Sequence, residues 1–192
     1  MKVQLFKPEH FPAAERAEKQ AAMFPRELFA SLVANARARG LLAGASVFDF
    51  EAVAMCRERA DFIKLATREE HNWPLRLAAW FTGLPIYRSV DWRRVRRKPF
   101  RLPREVTLGC IPEYPTELRP DNFPYNLADK LPEPFGWSSH GPYGMPCVIA
   151  AMSGASVVEA HLKTTKLDPE QAWSIKPATF ARMATAIRRM GR

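Results

Sequence analysis

The chain has 192 residues, 47% of them hydrophobic, which suits one domain with a buried core and excludes a disordered segment. Lys and Arg number 29 against 20 for Asp and Glu, a net charge of +9. No apolar run reaches the roughly 20 residues needed to span a bilayer, and MKVQLFKPEH at the N-terminus carries no signal-peptide core. Cys56, Cys110 and Cys147 are widely spaced and odd in number, which is not a disulfide framework. The expectation is a cytoplasmic protein.

In chain order, Val3–Phe6 reads as a strand. Pro25 opens a helix with Leu28, Phe29, Leu32, Val33 and Ala36 on one face, and Gly40 stops it. Leu41–Ala45 is the next strand, and Asp49 is placed to cap a helix running to Arg59. Phe62–Leu65 follows as a strand, Pro74 starts a helix ending near Gly83, and Pro85–Ser89 is again a strand. The basic stretch Asp91–Arg104 holds Pro99 and Pro103 and has no apolar stripe, so it reads as a loop. Val106–Cys110 resumes the strands, and the proline-rich 112–134 stretch has room for one short helix around Asn126–Lys130. Phe135–Ser138 and Ser156–His161 are the last strands, separated by a helix beginning near Pro146. An amphipathic helix, Pro177–Met190, closes the chain and is expected to bury Phe180, Met183, Ala184 and Ile187. Seven strands alternating with mostly helical crossovers predict a parallel α/β fold.

Much of the positive charge lies in Arg93, Arg94, Arg96, Arg97 and Lys98, with a second group at Arg182, Arg188, Arg189 and Arg192. Neither group comes with a stacking motif or a DNA-reading helix. They read as a solvated loop and a charged helix end rather than a nucleic-acid surface.

In a parallel α/β barrel the chemistry sits at the C-terminal ends of the strands. The groups found there are Lys2, Gln4, Ser46, Lys64, Thr67, Ser89, Cys110, Tyr114, Ser138, His140, Glu159 and His161. Such a set suits a phosphorylated, hydroxylated substrate, with cations for phosphate and hydroxyls for hydrogen bonds. Lys64 stands inside the apolar run Phe62-Ile63-Lys64-Leu65-Ala66, where a surface lysine is unexpected. Glu159 and His161 share one face of their strand. Half of the four histidines end the last two strands, and neighbouring strands lie about 4.8 Å apart. His140 and His161 can therefore share one Mn²⁺, Fe²⁺ or Zn²⁺ ion, with no third ligand evident; a hydrogen-bonded pair without metal satisfies the same placement. Cys56 and Cys110 read as core residues rather than nucleophiles.

GWSSHG (136–141) and AAMSGASVVEAHL (150–162) resemble the end of the barrel in the N-acetylneuraminate (sialic acid) synthase family, where the pattern is G-Y-S-D-H followed by A-x-x-x-G-A-x-x-I-E-K-H-F. KVQLFK (2–7), SVFD (46–49), FIKLATREEHNWPLR (62–76), LGCIPEYPT (108–116) and SIKPATFARMATAIR (174–188) resemble further segments of that family in the same order. The resemblance implies a TIM-type (β/α)8 barrel and condensation of phosphoenolpyruvate with an N-acetylated sugar aldehyde such as N-acetylmannosamine, with release of phosphate. It implies that His140 and His161 hold a divalent metal, typically Mn²⁺, and that Lys2, Lys64, Ser89 and Ser138 hold phosphoenolpyruvate. Ser46 and Thr67 are weaker matches to the same role. Gln4 and Tyr114 resemble sugar contacts, and Glu159 and Lys64 are the candidate catalytic groups.

The chain also departs from the family. It starts after the E-I-G-x-N-H-x-G motif, so the barrel is expected to lack its first strand and helix and to form one domain over residues 1–192 without a C-terminal antifreeze-like domain. Ser139 stands where the family has aspartate. Ser89-Val90-Asp91-Trp92 replaces S-T-G-M, and Pro112 stands where asparagine is frequent. The shorter loop Pro169-Glu170-Gln171-Ala172-Trp173 replaces G-P-D-H and removes an aspartate that touches the sugar. An alternative outcome is a catalytically impaired barrel acting as a metal- and anion-binding or scaffold module. A homo-oligomer is also expected, through pairing of exposed strand edges.

Overall fold

A computed structural model describes residues 1–163 and 170–191. Pro169, of the shortened loop, and Arg192, of the second basic group, lie outside the described residues. Seven strands form one sheet in chain order: β1 Lys2–Leu5, β2 Gly44–Val47, β3 Phe62–Leu65, β4 Ile86–Asp91, β5 Glu105–Cys110, β6 Phe135–Ser139 and β7 Val157–Ala160. The pairings β1 with β2, β2 with β3, β3 with β4, β5 with β6 and β6 with β7 are all parallel. The helices are α1 Arg16–Ala22, α2 Phe29–Arg37, α3 Phe50–Arg59, α4 Trp73–Phe81, α5 Leu127–Lys130, α6 Met145–Met152 and α7 Pro177–Arg189. Two compact units divide the chain: Met1–Arg88 with Leu102–Glu105, and Ser89–Arg101 with Val106–Arg192.

In the first unit, strand alternation separates two kinds of surface. Leu5, Ala45, Val47, Ile63, Leu65 and Ile86 join Phe29, Val33 and Ala36 of α2, Val53 and Cys56 of α3, and Leu75 and Ala79 of α4 in one core. The alternate positions carry a polar row in register, Gln4 beside Ser46 beside Lys64. Successive side chains in a strand point to opposite faces, so the apolar and polar sets separate without any special turn. Strand β2 begins later than the sequence suggests. Leu41 and Leu42 are exposed, and the chain enters the sheet only after Gly40, whose φ of +69° ends the α2 segment. The first paired residue is Gly44, where a Cβ would stand 2.4 Å from the Phe62 carbonyl oxygen.

The helices also depart from expectation in places. Leu28 is 50% exposed and precedes α2. Helix α1 buries nothing, which is why no apolar stripe announces it. In the second unit, α7 buries Met183 alone and leaves Phe180 38% exposed. Elsewhere in that unit Trp92, Ile111, Leu127, Leu131, Phe135, Trp137 and Ala150 form one cluster, and Cys147, Ile175 and Met183 form another.

Two electrostatic devices fix the first unit. Asp49 caps α3 as expected, accepting from the Ala52 N–H at 2.6 Å, and its other oxygen accepts from Arg26 at 2.6 Å. Buried behind α4 lies a triad. Glu105 accepts from Arg76 Nε at 2.9 Å and Nη2 at 2.5 Å, from Arg88 Nε at 2.8 Å, and from the Leu102 N–H at 2.8 Å. Burial pulls Arg88 below the ordinary guanidinium value, and the Glu105 charge opposes that pull.

Removing one member of a buried ion network leaves the others uncompensated, at a cost of about 3–5 kcal/mol. Glu105→Gln should lose that much in urea unfolding, and a loss under about 1 kcal/mol would mean that the triad does not anchor the unit. Asp49 gives a second test. Burial raises its pKa, but the hydrogen bonds from Arg26 and Ala52 and the charges of Arg26 and His10 outweigh this and hold it below the usual value. A lowered folded pKa contributes stability that is present above the unfolded value, near 3.9, and is lost as pH falls through the folded value. The stability gap between the wild type and Asp49→Asn should be full above about pH 5 and close as pH falls below about 4.

Candidate active site

The second unit gathers Ser138, His140, His161 and Tyr114 into one cluster. Ser138, one residue before the end of β6, pairs in register with Glu159 of β7 and with Cys110 of β5, so these three share one face. Ser139 points the other way, toward the Cys147 thiol, so the replacement of aspartate there falls on the helix-facing side of β6. His140 follows directly. Its ring is buried, and its Nδ1 lies 2.9 Å from the Ile111 carbonyl oxygen. A carbonyl can only accept, so Nδ1 carries the proton and Nε2 presents a lone pair. Ser138 Oγ at 3.2 Å and Tyr114 Oη at 3.3 Å both reach that Nε2. Tyr114 also stacks on the imidazole, with centroids 4.3 Å apart. The loop between them is tied back by the Thr116 N–H to the His140 carbonyl at 2.7 Å.

The His161 ring lies 5.5 Å from the His140 ring, inclined at 64°. Its Nδ1 is 2.6 Å from Glu170 Oε2. An ionised carboxylate likewise only accepts, so this pair also turns Nδ1–H away and leaves Nε2 as the available nitrogen. Trp173 completes the wall, 5.6 Å from the Tyr114 ring. Two imidazole nitrogens with hydroxyls nearby suit Mn²⁺, Fe²⁺ or Zn²⁺. Among the described residues, no group of three or more His, Cys, Asp or Glu could hold a metal by itself.

In the first unit, Lys2 donates to Ser46 Oγ at 3.0 Å. Gln4, Ser46 and Lys64 lie side by side in the polar row. Lys64 is 5% exposed, and its ammonium donates to the Leu65 carbonyl at 3.3 Å. Thr67 begins the turn Thr67–Glu69 just past β3. Ser89, in β4 of the second unit, is buried, and its hydroxyl has no hydrogen-bond partner among the described residues.

Glu170 and Trp173 were not among the residues singled out from the sequence. The shortened loop drops the family's aspartate, yet Glu170 within it sets a carboxylate on His161. Its signal was the proline–acid pair at 169–170, which also occurs in the G-P-D-H loop it replaces. Two cations of the basic loop are paired locally: Arg93 with Glu113 and Asp91, and Arg94 with Asp91 at 3.2 Å. No helix among the described residues is long and apolar enough to cross a membrane.

The sequence profile of the NeuB family matches residues 8–192, and the chain belongs to that family. No curated protein gives a significant match. Among solved structures, the chain is similar to an N-acetylneuraminic acid (sialic acid) synthetase from Leptospira borgpetersenii serovar Hardjo-bovis, with 22% identity and a TM-score of 0.78, covering 98% of this chain and 71% of that one. It is similar to a spore coat polysaccharide biosynthesis protein E from Chromobacterium violaceum, with 23% identity and a TM-score of 0.79, covering 98% and 63%. A phospho-2-dehydro-3-deoxyheptonate aldolase from Thermotoga maritima is similar at 12% identity and a TM-score of 0.70, covering 99% and 60%. These likenesses show the fold, a parallel α/β fold of the TIM type, and the chain spans three fifths to seven tenths of the length of those proteins.

Of the cysteines, Cys110 shares the face of Ser138, and Cys147 meets Ser139 behind it. All three are buried thiols, and burial pushes Cys56 and Cys147 up to about 12. The native protein should therefore resist Ellman's reagent at pH about 8 and release all its thiols to it on unfolding. Rapid labelling of the folded chain would reveal an accessible thiolate and reopen a nucleophilic role.

Proposed function

We propose that this NeuB-family chain binds phosphoenolpyruvate and condenses it with an N-acetylated amino-sugar aldehyde of the N-acetylmannosamine type, releasing phosphate and yielding a nonulosonic acid. The observation that supports this reading is the imidazole pair, in which each ring is held by a hydrogen bond at Nδ1 and the Nε2 of His140 meets two hydroxyls, those of Ser138 and Tyr114. We assign a divalent metal, by the family resemblance Mn²⁺, to the Nε2 nitrogens of the two rings, where it would supply a Lewis acid for the aldehyde oxygen.

The chain's own residues take the remaining roles in this proposal. Lys2 and Lys64 supply cations for the phosphate and carboxylate of phosphoenolpyruvate, and Ser46, Ser89, Ser138 and Thr67 supply hydroxyls. The buried, unpartnered Ser89 hydroxyl supports this, because such a group is costly unless a ligand or water satisfies it. Gln4 and Tyr114 are assigned to the sugar, with the exposed edge of Tyr114 offering an apolar wall and its hydroxyl a hydrogen bond. Glu159 lies beside Ser138 in register and is the candidate acid–base group, and Lys64 is the candidate cation for the negative charge that develops on the aldehyde oxygen. The new bond joins C3 of phosphoenolpyruvate to the aldehyde carbon; water adds at C2, and phosphate leaves by C–O cleavage.

A ligand at a hundredfold excess over its dissociation constant stabilises the fold by about 2.7 kcal/mol. Phosphoenolpyruvate with Mn²⁺ should therefore raise the melting temperature, and Lys64→Met should abolish the rise. Phosphate should then be released when N-acetylmannosamine is added, and His161→Ala should stop it. A melting temperature indifferent to phosphoenolpyruvate would contradict the assigned anion site. Binding without phosphate release would contradict the synthase reading and favour a binding module.

A further inference from the structure

Glu170 sits on a turn built for it. Its carbonyl accepts from the Trp173 N–H at 3.2 Å and from Ser174 Oγ at 2.7 Å, and Ser174 is buried. Beyond the turn, the Ile175 N–H donates to the His161 carbonyl at 2.7 Å, and the Lys163 N–H donates to the Ile175 carbonyl at 2.9 Å. The residues on either side of the loop thus pair as a short parallel bridge, Leu162 with Ile175. Lys163 Nζ reaches Gln171 Oε1 at 3.0 Å as a second clasp. These bonds hold the main chain at Glu170 beside the His161 ring, which its carboxylate meets at 2.6 Å.

We infer that Glu170 is the positioning residue of His161: its carboxylate fixes the ring's orientation and its Nδ1–H tautomer, so that Nε2 faces the ligand side. The two histidines are held in the same tautomer by acceptors of different charge. His140 leans on a neutral main-chain carbonyl that no side-chain substitution removes, whereas His161 leans on a charged side chain. A carboxylate behind an imidazole makes the opposite nitrogen a better donor to a metal, and loss of such a partner typically weakens metal binding 10–100-fold. The shortened loop therefore does more than delete a sugar contact, since it carries the group that prepares His161.

The affinity part of this inference rests on the metal site proposed above; the tautomer part does not. Long-range ¹H–¹⁵N spectra of the imidazoles, recorded on metal-free protein at pH about 8, report the tautomer directly. His161, assigned with a His161→Asn variant, should be the Nδ1–H form in the wild type. It should stay so in Glu170→Gln, whose amide oxygen can still accept, and become a mixture in Glu170→Ala. Mn²⁺ affinity, followed by EPR, should fall about 10–100-fold in Glu170→Ala and by less in Glu170→Gln. Thermal unfolding of the isosteric Glu170→Gln checks that the fold is kept. An unchanged tautomer in Glu170→Ala would overturn the inference, as would a Mn²⁺ affinity within about twofold of wild type. If the wild type binds no Mn²⁺, the metal reading fails, and the tautomer spectra alone still decide the role of Glu170.

Discussion

Parallel pairing in register is the constraint on which everything else here depends. When neighbouring strands run the same way, residues side by side across them point to the same face, and the next residue in each points to the other. Gln4, Ser46 and Lys64 form one such row, and Cys110, Ser138 and Glu159 another. The intervening residues, Leu5, Val47, Ile63 and Leu65 in the first unit, bury themselves against helices. A one-residue slip in any strand would exchange the two faces, placing lysine in the core and leucine in the polar row. Burial of those apolar side chains, worth about 1.5–3 kcal/mol each, therefore fixes the positions of the polar ones.

Hydrogen bonds then decide what the positioned groups can do. An imidazole can present either nitrogen, and the partner of the other nitrogen makes the choice. For His140 that partner is the Ile111 carbonyl, and for His161 it is Glu170. Tyr114 contributes twice, by stacking on the His140 ring and by bringing its hydroxyl to Nε2. The result is a pair of nitrogens directed by acceptors drawn from loops, while the rings themselves come from strand ends.

Much of this was legible in the sequence, for identifiable reasons. The strand at Phe62–Leu65 matched its expected bounds, because an apolar run followed by a turn leaves few alternatives. The cap at Asp49 was readable from local chemistry alone. The polar strand ends were visible as interruptions of apolar runs. Leu41 and Leu42 misled because two leucines after a glycine look like a strand start, whereas Gly44 beside the Phe62 carbonyl sets the first pairing. Phe180 misled for a similar reason: helical spacing gives a face but not whether anything covers it. The Arg76–Glu105–Arg88 triad was not readable at all. Its members are 29 and 17 residues from Glu105 in the chain, and single charged residues read as solvated until a fold brings them together. Glu170 was missed because the loop was judged by the aspartate it lacked and not by the carboxylate it kept.

In the proposed site, His140 and His161 bind one metal through Nε2. Pulsed EPR of Mn²⁺-loaded protein labelled with ¹⁵N-histidine measures this most directly, since only nitrogens bonded to the ion couple strongly to it. Two such couplings are expected, one disappearing in His140→Ala and the other in His161→Ala. Bound Mn²⁺ without histidine nitrogen couplings, or with couplings that survive both substitutions, would contradict the account.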